Sequence, residues 1–149
     1  MAGERTQVHG TCVAIDGKCA LLRGDPGAGK SDLALRFLAM FSGKSALGVG
    51  LVSDDQTVLS LEHGKLIASS PAIRGGLIEV RGLGIISIAA CSKAELALVV
   101  DLAPGEDIER FPDPLPKIEL LGVSLPCIKL AAFEASAAIK LKIALTGGL

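Results

Sequence analysis

The sequence predicts an α/β fold built on a mixed β-sheet. Three observations predict it. A glycine-rich stretch, Gly24-Asp25-Pro26-Gly27-Ala28-Gly29-Lys30-Ser31, joins a strand-like segment to a helix-like one. Hairpin patterns stand on both sides of that stretch, so the strands run in both directions. Strand-like runs also outnumber helical ones.

The first element is a hairpin. Val8 to Ile15 reads as a strand, Asp16-Gly17 as a two-residue turn and Lys18 to Arg23 as the return strand. Such a turn sets Ile15 opposite Lys18. Counting outward, Cys12 faces Leu21 and His9 faces Gly24, which puts His9 beside the start of the glycine-rich loop. Ser31 to Phe41 reads as a helix that is apolar nearly all round and therefore buried. Ser42-Gly43-Lys44-Ser45 ends it, and Leu47 to Ser53 leads into a short strand.

Thr57 to Leu61 and Leu66 to Ser69 form a second hairpin around His63-Gly64. Leu77 to Val80 and Ile85 to Ala90 are strands separated by Arg81-Gly82-Leu83-Gly84. Leu96 to Leu102 is a continuous apolar run, the pattern of a central strand. Pro104 to Pro116 holds four of the seven prolines and reads as a surface connection. Ile118 to Leu121 and Val123 to Ile128 flank a turn at Gly122. Ala131 to Leu145 closes the chain as a helix.

Composition excludes several classes. The 149 residues fit one domain spanning 1–149, and half of them are hydrophobic. With four Phe and no Trp or Tyr, the core must be aliphatic. Fifteen basic and 16 acidic residues give a net charge of −1, no electrostatic basis for binding nucleic acid or an anionic membrane. Mean hydropathy is high, +0.53, but it is broken into strand-sized pieces too short to cross a bilayer. No signal peptide is visible, and a cytoplasmic protein is expected. Cys12, Cys19, Cys91 and Cys127 form no CxxC pair and read as small buried hydrophobes in a reducing compartment.

The chemistry begins at the loop. Gly24, Gly27 and Gly29 allow torsions and close approaches that a side chain would block. Backbone N–H groups can then surround a phosphate oxygen, and the next helix points its positive end at the same anion. Lys30 suits the β and γ phosphates of ATP, and Ser31 suits Mg²⁺. Asp25, an acid in a loop made for anions, is expected to cap local N–H groups or to face solvent. Asp54-Asp55 end an apolar strand, where phosphate-loop proteins keep a metal-binding acid. Two adjacent acids permit two tasks: one holds metal while the other accepts a hydroxyl proton. Glu79, an acid among apolar strand residues, needs metal, Arg81 or solvent as its partner.

The order His9-Gly10, GDPGAGKSD, Leu51-Val52-Ser53-Asp54-Asp55 and then Ile78-Glu79-Val80-Arg81-Gly82-Leu83-Gly84-Ile85-Ile86 resembles the catalytic domain of HPr kinase/phosphorylase. The stretch EVRGLGII carries most of that specificity. The resemblance implies a phosphate-loop kinase with the phosphoenolpyruvate carboxykinase-like fold. It implies ATP-dependent phosphorylation of a serine on the carrier protein HPr, phosphorolysis of that phosphoserine, and homo-oligomers, commonly hexamers. It assigns Lys30 and His9 to catalysis, Asp55 to proton acceptance with Asp54 beside it, and Ser31, Asp54 and Glu79 to Mg²⁺. The chain starts almost at His9 and so resembles the short form that lacks an N-terminal domain.

One departure stands out. Where the family has Pro-Gly-Arg-Asn with a catalytic arginine, this chain has Ala132-Phe133-Glu134-Ala135-Ser136, and no arginine follows Arg110. Arg74, Arg81 or an arginine of a neighbouring subunit are the substitutes. A small-metabolite kinase and a nucleotide-binding module without catalysis are the competing expectations.

Overall fold

The computed structural model describes residues 4–43, 48–71 and 76–148. The strands are β1 (Arg5–His9), β2 (Thr11–Ile15), β3 (Lys18–Arg23), β4 (Val49–Ser53), β5 (Gln56–Glu62), β6 (Lys65–Ser69), β7 (Leu77–Val80), β8 (Gly84–Ser87), β9 (Lys93–Leu102), β10 (Lys117–Leu120) and β11 (Val123–Leu130). Among the described residues two α-helices accompany them, α1 (Lys30–Phe41) and α2 (Ala137–Thr146), with one 3-10 turn at Gly105–Asp107.

Among the described residues, nine strands form one mixed sheet in the order β1-β5-β6-β9-β3-β2-β4, with β11 alongside β9 and β10 outside β11. The central strand β9 runs parallel to β3 along one edge. Its other edge is shared: β6 pairs antiparallel with Lys93–Glu95, and β11 pairs parallel with Val99–Leu102. Because β2 is antiparallel to both β3 and β4, those two run the same way as β9. Their C-terminal ends therefore meet at one end of the sheet, where Gly24, Asp54 and Asp101 lie.

Local chemistry explains the hairpins. Asp16-Gly17, His63-Gly64 and Leu121-Gly122 all have positive φ at both turn residues, the type I′ turn whose twist matches antiparallel strands. The predicted register holds from Ile15↔Lys18 to Cys12↔Leu21 and one pair further, Thr11↔Leu22.

The expected single strand from Val8 to Ile15 is divided, and this corrects the placement of His9. Gly10 breaks it: a Cβ there would lie 2.7 Å from Leu21 Cδ1 and 2.9 Å from the Leu22 carbonyl oxygen. At that close approach the chain leaves β3, and His9 pairs with Gln56 of β5 rather than facing Gly24.

Both faces of the sheet are covered, so alternate residues feed two cores. Val13, Ala20, Leu22, Leu98 and Val100 meet α1 and α2 on one face. Cys12, Cys19, Leu21, Leu96 and Val99 meet Leu59, Leu66 and Ala68 of the curled β5–β6 hairpin on the other. Helix α1 is one-sided rather than buried all round. Leu33, Ala34, Phe37 and Leu38 face the core while Ala39 and Met40 are exposed.

Three further expectations shift. The strand after Gly84 ends at Ser87, and β7–β8 forms its own small sheet, seated through buried Ile78. Helix α2 starts at Ala137, six residues later than expected, because Ala131–Ser136 folds into tight turns. Cys12 and Cys19 are buried, but Cys91 and Cys127 are only half-buried; all four are free thiols. Leu47, Lys44, Ser45 and Arg74 lie outside the described residues. No helix among the described residues is long and apolar enough to cross a membrane.

Candidate active site

The loop after β3 turns straight into α1. Gly27 and Gly29 adopt φ 86° and 102°, torsions that L side chains disfavour, and Gly29 is the helix N-cap. A glycine offers no capping side chain, so the first amides of α1 face the loop. Lys30 is buried, and its ammonium donates to the carbonyls of Gly24 (2.5 Å) and Asp25 (3.1 Å). Ala28 N–H donates to the same Asp25 carbonyl. The Asp25 side chain is solvent-exposed, one of the two placements expected for it.

The acids at the end of β4 face different partners. Asp54 Oδ1 accepts from the hydroxyls of Ser31 (3.1 Å) and Thr11 (3.0 Å), and Oδ2 from the Glu79 N–H (3.4 Å). Asp55 sits at φ 69°, a left-handed conformation uncommon outside glycine, and its Oδ1 lies 2.9 Å from His9 Nε2. The turn that separates the two acids is fixed from both sides. Gly10 N–H donates to the Asp55 carbonyl, Asp55 N–H to Thr11 Oγ1, and the Thr57 hydroxyl to the Gly10 carbonyl.

His9, Ser31, Asp54 and Asp55 thus form one linked group at the mouth of the loop. Glu79 reaches it through its backbone, while its side chain is exposed. Thr11 was not legible from sequence; the available signal was a lone hydroxyl opening an apolar strand beside His9-Gly10. Among the described residues, no group of three or more His, Cys, Asp or Glu side chains is placed to hold a metal. One carboxylate and one hydroxyl, both hard oxygen donors, suit Mg²⁺ completed by phosphate oxygens and water rather than a cation caged by protein.

A second polar cluster anchors the root of the loop. Arg23, the residue before Gly24, forms a bidentate pair with Asp101 at 2.7 and 3.0 Å. The hydrogen bond from Arg23 holds the Asp101 carboxyl below its usual range, and Asp101 raises Arg23 in turn. The Cys127 thiol donates to Asp101 Oδ2. Burial, reinforced by that carboxylate, pushes the thiol up, which keeps it protonated.

The tight turns before α2 complete the site wall. Arg36 of α1 is paired with Asp32 at 2.9 Å and donates to the carbonyls of Ala132 and Glu134. The segment that replaces the expected Pro-Gly-Arg-Asn is thereby strapped beside the loop.

The sequence model of the HPr Serine kinase C-terminal domain matches residues 1–141. The chain belongs to the HPr serine kinase C-terminal domain family. A Streptococcus thermophilus HPr kinase/phosphorylase is 32% identical over 138 residues, 85% of this chain and 42% of that protein. A Clostridium tetani HPr kinase/phosphorylase is 41% identical over 83 residues, 56% of this chain and 25% of that protein. The chain therefore spans between a quarter and about two fifths of these relatives. The structure of the HPr(Ser) kinase/phosphatase from Coxiella burnetii superposes with a TM-score of 0.75 at 26% identity, covering 93% of this chain and 86% of that one. The α/β architecture with a mixed, curled sheet is thus that of an HPr serine kinase domain.

Proposed function

We propose that the chain transfers the γ-phosphoryl group of ATP to a serine hydroxyl of an HPr-type carrier protein. The observation that carries this reading is the split of the two acids: Asp54 turns in to the loop hydroxyl of Ser31, and Asp55 turns out toward His9 and solvent. A phosphate-loop protein that only binds nucleotide has no need of the second, outward acid. The names and structures of the relatives support the choice of carrier.

The amides at the start of α1 and the Lys30 ammonium neutralise the transferring phosphate, and a polyphosphate entering the loop competes with the Gly24 and Asp25 carbonyls for that ammonium. Ser31 and Asp54 would hold Mg²⁺, which supplies charge neutralisation at the phosphates. Asp55 accepts the serine proton, and His9 orients the Asp55 carboxylate. Catalysis of this kind is mainly positioning and electrostatics. The protein is read as a cytoplasmic homo-oligomer.

The test is incubation with ATP, Mg²⁺ and an HPr-type carrier, followed by intact mass measurement of the carrier. One added phosphoryl group is expected, on a serine. ATP binding with an unchanged carrier would instead favour a nucleotide-responsive module, the reading suggested by the absence of arginine after Arg110. Adding inorganic phosphate to the phosphorylated carrier reads out phosphorolysis in the same format.

A further inference from the structure

The geometry points to Phe133 as the stacking surface for the nucleobase of the bound nucleotide. The inference rests on the phosphate-loop reading above and adds the part of the ligand that the loop does not touch. A Cβ on Gly29 would lie 2.7 Å from the Ala132 Cβ and 3.0 Å from Phe133 Cζ, so the ring rests against the loop backbone itself. Yet Phe133 is 70% exposed. Phe37 and Phe41, by contrast, pack against each other at 5.2 Å within α1.

An exposed aromatic ring on a mobile turn would carry no meaning, but this turn is fixed. Arg36 donates to the carbonyls of Ala132 and Glu134, the residues on either side of Phe133. Asp32 holds Arg36 from below, and Lys140 pairs with Glu134 at 3.0 Å. The backbone on both sides of the ring is pinned while the ring is left uncovered. A purine presents a flat π-face that such a ring can cover, and stacking needs no hydrogen-bonding partner from the protein. The phosphates in the loop and the base on Phe133 would then share the Gly29 corner.

The test compares ATP with inorganic tripolyphosphate, which keeps the phosphates and lacks the base. Both are titrated calorimetrically, with Mg²⁺, into wild type, Phe133→Ala and Phe133→Tyr. Phe133→Ala should weaken ATP by about five- to 150-fold, the loss expected from removing one stacked aromatic. Its tripolyphosphate affinity should stay unchanged, and Phe133→Tyr should restore ATP binding. Equal weakening of both ligands would make the ring a support for the loop and overturn the inference. So would unchanged ATP binding in Phe133→Ala. If wild type holds tripolyphosphate as tightly as ATP, the phosphate loop stands and only the base contact falls. If wild type binds neither, the phosphate-loop reading falls as well.

Discussion

Thr11 is fully buried, and its one hydroxyl serves both acids: it donates to Asp54 and accepts from the Asp55 amide. Those bonds keep the carboxylates pointing apart, which is the basis of the separate roles proposed for them. Asp55→Ala should therefore cut phosphoryl transfer by about 10²–10⁴, the loss typical of a missing general base, and leave ATP affinity near that of wild type. Phosphotransfer assays run beside ATP titrations check this, and an equal loss of ATP affinity would reassign Asp55 to nucleotide binding. At this scale the sequence was legible wherever the chemistry is contiguous. Lys30, Ser31 and the Asp54-Asp55 pair announce themselves by spacing. The partnership of His9 with Asp55 spans 46 residues and depends on where the chain turns at Gly10, which no local pattern encodes.

The hairpin turns are legible in sequence because turn chemistry is local, whereas the division at Gly10 and the end of β8 at Ser87 depend on distant partners. A two-residue type I′ turn needs positive φ at both positions, which Asp-Gly and His-Gly supply at Asp16-Gly17 and His63-Gly64, so the hairpins and their register followed. Helix α2 starts later than its composition predicts for the opposite reason. Ala131–Ser136 has a helical composition, but Arg36 captures two of its carbonyls, and tertiary bonds override propensity. The parallel pairing of β3 with β9 brings a further long-range contact, Arg23 with Asp101. The Asp101 carboxyl is lowered in the folded chain, so the folded state binds its proton less readily than the unfolded one. The pair stabilises the fold above the ordinary carboxylate value of about 3.9, and that contribution is lost as pH falls through the lowered value. Both side chains are about one-third exposed, so solvent screening keeps the effect modest. Asp101→Asn should melt below wild type at pH 7, with the gap closing in acid. Thermal melts across pH measure it, and a gap that never narrows as the pH is lowered into the acid range would sink the assignment.

Across the whole molecule, stability rests on two aliphatic cores separated by the sheet, a division foreshadowed by continuous apolar strands such as Leu96 to Leu102. The aromatic exception is Phe37, fully buried between α1 and the sheet. Phe37→Ala should lower unfolding stability by about 3–5 kcal/mol, whereas exposed Phe111→Ala should change it by less than about 0.5 kcal/mol. Chemical denaturation with matched slopes separates the two, and similar losses would contradict the burial pattern. The break at Gly10 reaches furthest. Because His9, Gly10 and Thr11 clasp Asp54 and Asp55 through a single run of bonds, the acid proposed to hold metal and the acid proposed to accept the proton are mechanically one part. Substitutions at these five positions should be epistatic, their double mutants departing from the sum of the singles. A lineage adjusting one acid's function would have to retune the other with it, so this corner is expected to evolve by joint replacement rather than one residue at a time.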